Sequence, residues 1–287
     1  MWLVLSFLTA VCTSAQDILS KRVSKRVSPY ITAWAVSFFS LPFLGLLCIW
    51  EHPVAPHVEF WPALLATALV LTVSSVFFFK SIEQSDLSLT IPMLSFTPLL
   101  LLVTSPIIVG EFPKPLGILG MVLIVLGCYV LFYHPQQENV LAPFRRLIKA
   151  RGSRYMLIVA VLYSIGGNID KIGVRNSSPL TWSLALNAVV AVLLGIIMIV
   201  KVKDAQAKVR SVWPWLVAIG FCMALVMMFQ MNALKLTIVP YVIAIKRTSV
   251  MMSALWGMWF LKEGGGRERL FAVGLMVAGI FVISFAH

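Results

Sequence analysis

The chain has 287 residues, of which 60% are hydrophobic and only 12% charged, and its mean hydropathy is +0.95. Soluble domains carry about a quarter charged residues, so this composition excludes a soluble globular protein and makes the lipid bilayer the chain's surroundings. The formal net charge of +12 would point to nucleic acid in a soluble chain, but the basic residues stand in short clusters between apolar runs, as membrane topology signals do, so nucleic acid is excluded as a partner.

Taken in chain order, the hydropathy pattern predicts ten spans, roughly 2–19, 30–50, 61–79, 87–109, 116–133, 155–171, 180–200, 212–233, 238–261 and 269–286. The expected fold is therefore all-α and integral to the membrane. "TSA" at 13–15 has the form of a signal-peptidase site, but only Met1 and Trp2 precede the apolar run and neither is basic, so the first span is expected to stay as a helix. That span ends in "AQDILSKR", with Asp17 and Lys21 four residues apart. The sixth carries Tyr163, Gly166-Gly167 and Asn168 and ends in Asp170-Lys171. The eighth carries Gln230 and Asn232, and the ninth carries Tyr241 and then Lys246-Arg247 side by side. The longest stretch outside the spans, "HPQQENVLAPFRRLIKARGSR" at 134–154, is a basic linker too short to hold a separate catalytic domain.

Chemistry-bearing motifs are missing. Cys12, Cys48, Cys128 and Cys222 each sit in an apolar run without CxxC spacing and read as small core residues. His52, His57, His134 and His287 lack metal-ligand spacing, and there is no Walker A, HExxH or GxSxG signature. "EGGGRER" at 263–269 is a turn joining two spans. No catalytic residue, cofactor or metal is expected, nor ATP coupling within the chain.

The sequence is written twice. "FWPALLATALV" at 60 and "VWPWLVAIGFC" at 212 begin 152 residues apart, and Glu111 and Glu263, ending the fourth and ninth spans, keep that offset. "KRVSKRVSPY" and "KIGVRNSSPL" align Lys21 with Lys171 and Ser28-Pro29 with Ser178-Pro179 at an offset of 150. A duplication of five spans puts the halves in opposite orientation, the inverted repeat of secondary transporters. The expected division is a first five-helix repeat at 1–133, the linker at 134–154 and a second repeat at 155–287.

Lys246 and Arg247 have no charged counterpart in the first half, where Leu94 and Ser95 occupy the equivalent positions. Each such charge at a helix centre opposes insertion by roughly 2.5–3.5 kcal/mol, and intramembrane ionisable residues are functional candidates by default. Two readings stand: a structural pair that engages acids such as Asp17 or Asp170, or backbone carbonyls, and a pair bordering a substrate cavity. Asp17–Lys21 can likewise neutralise itself on one helix face. Alternatively Lys21 and Lys171 act as gate cations while Asp17 or Asp170 takes a coupling proton. Tyr163, Asn168, Gln230, Asn232 and Tyr241 are cavity polar groups or interhelical hydrogen bonds. Gly120 and Gly274 are expected to permit close helix approach.

With its five-plus-five pattern, its "ALKLT...P...S...WGMWFLKEG" run and the first-half echo "SIEQSDLSLTIPMLSFTPLLLLVTSPIIVGEF", almost the whole chain resembles the EamA-type branch of the drug/metabolite transporter superfamily. The resemblance implies a ten-helix transporter whose relatives move amino acids, sugars, nucleotide sugars, phosphorylated sugars or drugs. "AIKRTSV" also resembles the Lys-Arg element with which the triose-phosphate and nucleotide-sugar branches contact substrate phosphate. Carried to Lys246 and Arg247, this implies an anion site, with Arg as a bidentate fork and Lys as a point charge.

Loop charge sets the expected topology. Lys21, Arg22, Lys25, Arg26, Lys80, Arg145, Arg146, Lys149, Arg151, Arg154, Lys201, Lys203, Lys208, Arg210, Lys262, Arg267 and Arg269 follow odd-numbered spans, whereas only Lys114, Lys171, Arg175 and Lys235 follow even ones. By the positive-inside rule the odd loops are cytoplasmic and both termini face outward, opposite to well-studied ten-span relatives. The expected protein is a multi-pass secondary transporter of the plasma (inner) membrane, not an enzyme, with a central site near the midplane between the repeats. Its partners are the bilayer, a small anionic or phosphate-bearing substrate, and a coupling proton or counter-transported anion. The alternatives are an amino-acid or drug exporter in which the cations are structural, and a lipid-handling membrane enzyme or accessory subunit.

Overall fold

The structure is a computed structural model that describes residues 1–24, 26–50, 55–84, 93–131, 151–252 and 267–286. Among the described residues the regular structure is entirely helical, as lipid requires of a segment that has to satisfy its own backbone N–H and C=O groups. In chain order the helices are α1 (Trp2–Ser24), α2 (Pro29–Phe38), α3 (Leu41–Trp50), α4 (Phe60–Gln84), α5 (Thr97–Ile108), α6 (Pro115–Leu131), α7 (Arg151–Arg175), α8 (Pro179–Lys201), α9 (Ala205–Leu236), α10 (Val239–Lys246) and α11 (Arg267–Phe285). Among the described residues six helical stretches are long and apolar enough to cross a membrane: Trp2–Ser24, Pro29–Ile49, Phe60–Phe78, Gly152–Arg175, Pro179–Lys201 and Ala205–Leu236. Thr97–Ile108, Pro115–Val130 and Phe271–Phe285 are shorter apolar helices.

Local chemistry explains the helix bounds. Pro29 and Pro179 open α2 and α8, where the missing N–H costs nothing and the fixed φ already suits a helix. Ser178 caps α8 by accepting the Thr181 N–H at 3.2 Å. The stretch expected as one span at 30–50 is two helices, because Pro42 has no N–H to offer the Phe38 carbonyl and the chain turns at Phe39–Ser40, with Ser40 Oγ donating to the Ser37 carbonyl at 2.8 Å. α9 has 32 residues, about 48 Å at 1.5 Å per residue. It starts before the 212–233 run because its polar first turns, 205–211, are helical too; they leave Asp204 in the left-handed region at φ 54°.

Repetition is visible in the helix bounds. α2 and α8 begin 150 residues apart. The expected ninth span is not one continuous helix in its described part: α10 ends at Lys246, the chain turns at Arg247–Thr248, and helix resumes over 249–252. Met93–Leu94 are helical, Ser95–Phe96 form a turn, and α5 starts at Thr97, so the first half breaks at the equivalent residues.

Two compact units form the chain. One takes Met1–Thr72 and Ile169–Thr237, the other Val73–Asn168 and Ile238–His287, so each draws on both halves of the sequence. In the first unit α1 packs on α9, and α2 and α3 pack on α8 and α9. Its core includes Val23, Ile31, Ala35, Met198, Val212, Leu216 and Ile219. In the second, α6 lies along α11, and α10 packs on α5 and α6. A Cβ added at Gly120 would stand 2.7 Å from the Gly279 carbonyl oxygen, so the α6–α11 approach depends on glycine. Gly274 has nothing within 4 Å, which corrects its expected role, since it faces open space on α11. The thiol of Cys128 is buried 4.0 Å from Met276 Sδ; Cys12, Cys48 and Cys222 are partly buried, and none of the four is in a disulfide.

Candidate functional site

The second unit holds both helix breaks, and the first has a cause in the sequence. Pro98 follows Thr97 and cannot donate to the Leu94 carbonyl; the Thr97 hydroxyl donates to it instead, at 2.6 Å. The second break has no proline. There the Arg247 N–H is shared between the carbonyls of Ile243 and Ala244 at 3.1 and 3.2 Å, and the Thr248 hydroxyl donates to the Ile245 carbonyl at 2.7 Å, which tightens and closes the end of α10. Lys246 and Arg247 thus stand at a helix C-terminus, the negative end of the peptide dipoles, which favours cations.

The two breaks are joined by a side chain. Arg247 Nη2 donates to Thr97 Oγ1 at 2.9 Å, while the same hydroxyl donates onward to Leu94. Lys246 and Arg247 are both partly buried. The arrangement puts a delocalised cation at the N-terminal end of α5, where peptide dipoles also favour negative charge.

Two further bonds fix α10 at its start. Glu111, buried after a turn through Gly110 at φ 71°, accepts the Val239 N–H on Oε2 at 2.8 Å, a carboxylate at the positive end of α10. Tyr241, expected as a cavity residue, is buried against α6. Its hydroxyl accepts the Lys114 N–H at 3.0 Å at the start of α6, and its ring lies where a Cβ on Gly117 would stand.

Asn168 is fully buried on α7 and donates from Nδ2 to Thr104 Oγ1 at 3.0 Å and to the Ser164 carbonyl at 2.8 Å. Tyr163 packs against the same Met93, Met156 and Val159 cluster as Leu94 and Phe96, the residues flanking Ser95 at the first break.

The remaining expected site residues belong to the first unit. Asp170 and Lys171 are buried. Asp170 Oδ1 accepts the indole N–H of Trp182 at 3.0 Å, and the Lys171 ammonium donates to the Thr237 carbonyl at the C-terminal end of α9, where a cation complements the dipole. Gln230 is buried and Asp17 exposed; Asn232 bonds back to the Met228 carbonyl. Lys21 lies on α1, and its side chain is outside the described residues. Reading the sequence missed Thr97 and Glu111 as site residues. A hydroxyl directly before Pro98 was the signal for the first, and the repeated Glu111/Glu263 for the second.

A profile of the EamA-like transporter family matches residues 1–133 and 150–285. The chain belongs to the EamA-like transporter family. This EamA-like protein is thus a multi-pass membrane transporter of the drug/metabolite transporter superfamily. It is 22% identical over 295 aligned residues to an uncharacterized transporter of Archaeoglobus fulgidus, covering 99% of this chain and 95% of that one. A solved crystal structure superposes with a TM-score of 0.78 at 15% identity, over 99% of this chain and 96% of the other, which shows a shared fold. In transporters built from repeats, discontinuous helices at equivalent positions of the two halves mark substrate and ion sites. In this EamA-like transporter the breaks at Ser95–Phe96 and Arg247–Thr248 stand at equivalent positions of the two halves.

Proposed function

We propose that this EamA-like transporter moves a small anionic, phosphate-bearing metabolite across the plasma membrane by alternating access, as a secondary transporter of ten spans in two inverted five-helix repeats. Both termini face outward, and a counter-transported anion or a proton supplies the coupling. The observation that carries this reading is the Arg247–Thr97 bond between two repeat-related helix breaks. An incoming phosphate can take over the guanidinium from the neutral hydroxyl, gaining a bidentate bond to an anion where there was a single bond to a neutral acceptor. Lys246 adds a second positive charge, and the start of α5 adds peptide dipoles.

The test is a thermal-stability screen of the purified protein against inorganic phosphate, sugar phosphates, nucleotide sugars, amino acids and organic cations. A compound that binds only the folded state stabilises by about 2.7 kcal/mol at a hundredfold over its dissociation constant. Phosphate compounds should stabilise the native protein and not the Arg247→Ala protein. A screen in which only cations or amino acids register overturns the anion reading. Stabilisation by phosphates that survives Arg247→Ala makes the Arg247–Thr97 bond a packing contact only.

A further inference from the structure

Both hydrogens of the Asn168 amide have acceptors inside the second unit: the Ser164 carbonyl one turn earlier on α7, and Thr104 Oγ1 on α5. These bonds fix which end of the amide is which, because a flipped side chain would set its oxygen against the Ser164 carbonyl. The amide oxygen, Oδ1, is buried and meets no donor among the described residues. A buried acceptor in that condition is destabilising, yet the amide is anchored so as to keep the oxygen where it is.

Its position relative to Arg247 follows from two helices. Thr104, which holds Asn168, and Thr97, which holds Arg247, are seven residues apart on α5, so they share a face and stand about 10 Å apart along its axis. On α10, Val239 and Ile243 are the nearest neighbours of a Cβ built at Gly167, at 3.5 and 3.9 Å. Arg247 continues that series of every fourth residue on the same face. We infer that Asn168 Oδ1 is a second substrate contact, accepting a hydrogen bond from a hydroxyl or amino group at the end of the molecule away from the anionic group held by Arg247. The contact selects phosphate esters with a donor at the far end over those with an apolar tail. This inference rests on the anion reading of Arg247.

The full-length protein, purified and tested with inorganic phosphate, a hexose phosphate and hexyl phosphate, separates the two. Native protein should bind the hexose phosphate about tenfold more tightly than hexyl phosphate, the worth of one hydrogen bond in a dry site. Asn168→Leu should erase that preference while leaving inorganic phosphate binding unchanged. Thr104→Val, which frees the amide to turn, should narrow the preference, and it serves as the test if Asn168→Leu does not fold. A folded Asn168→Leu or Thr104→Val protein with the full preference overturns the assignment and makes Asn168 a packing amide. Failure of every phosphate probe with native protein overturns the anion reading itself, and this inference with it.

Discussion

The carboxylate of Glu111 accepts the backbone N–H of Val239 at 2.8 Å, and two residues further on the hydroxyl of Tyr241 accepts the backbone N–H of Lys114 at 3.0 Å. The connection 109–114 thereby supplies a cap for α10, and α10 in turn supplies an acceptor at the start of α6. The first N–H groups of a helix have no partner within it. Here they are met by side chains from segments more than a hundred residues away, and one of the helices so held is α10, which ends at Lys246 with Arg247 directly after it.

Removing the Glu111 cap should therefore loosen the start of α10. Glu111→Ala is expected to lower stability by about 1–2 kcal/mol, in the range of lost helix caps and buried hydrogen bonds. Glu111→Gln keeps an acceptor and should recover roughly half of that loss. Thermal unfolding in detergent reads both, and a glutamine variant as unstable as the alanine variant would assign the effect to charge alone.

Tyr241 and Gly117 should behave as a coupled pair. A Cβ at Gly117 would lie 2.2 Å from the Tyr241 hydroxyl oxygen and 2.5 Å from its ring carbons, so Gly117→Ala forces the ring to move and should destabilise by about 1–3 kcal/mol. Combined with Tyr241→Ala, the added methyl should have no further cost. A double-mutant cycle with purely additive effects would show that the two do not meet.

Gly120 and Gly274 make a sharper contrast than their residue type allows. Gly120→Ala puts a methyl 2.7 Å from the Gly279 carbonyl oxygen and 2.6 Å from Ile283 Cγ1 and should destabilise by about 1–3 kcal/mol, because backbone cannot step aside as a side chain can. Gly274→Ala meets nothing and should leave stability unchanged or raise it by about 0.5–1 kcal/mol through helix propensity. Melting temperatures of the two variants decide the point, and equal losses would refute the α6–α11 contact.

At the paired breaks, chemistry predicts which substitutions matter. Thr97→Ser keeps the hydroxyl that serves Leu94 and Arg247 and should be close to native in stability and phosphate binding. Thr97→Val removes it and should lower stability by about 1–3 kcal/mol, since the Leu94 carbonyl and the guanidinium both lose a buried partner. Arg247→Lys retains charge without the planar fork and should weaken phosphate binding about tenfold. A lysine variant that binds phosphate like the native protein would show that a point charge is enough.

Much of the architecture was legible beforehand. Pro29 and Pro179 mark helix starts because proline suits the first turn, and the offsets of 150 and 152 between repeated segments reappear in the starts of α2 and α8 and in the two helix breaks. The break before Thr97 also had a written cause in Pro98. The break after Lys246 had none, so the ninth span reads as continuous and its cations as mid-helix charges, whereas they stand at a helix end. Gly120 and Gly274 look alike in sequence, and only the neighbouring helix distinguishes them.

By itself the sequence determined that this is a duplicated helical membrane protein, because transfer free energies and turn preferences belong to individual residues and add along a segment. Only the tertiary structure decided that Arg247 meets Thr97, that Glu111 holds Val239, and that each compact unit draws on both halves of the chain. A hydrogen bond needs its partners within about 3 Å, and for residues more than a hundred positions apart that distance is set by how whole helices pack.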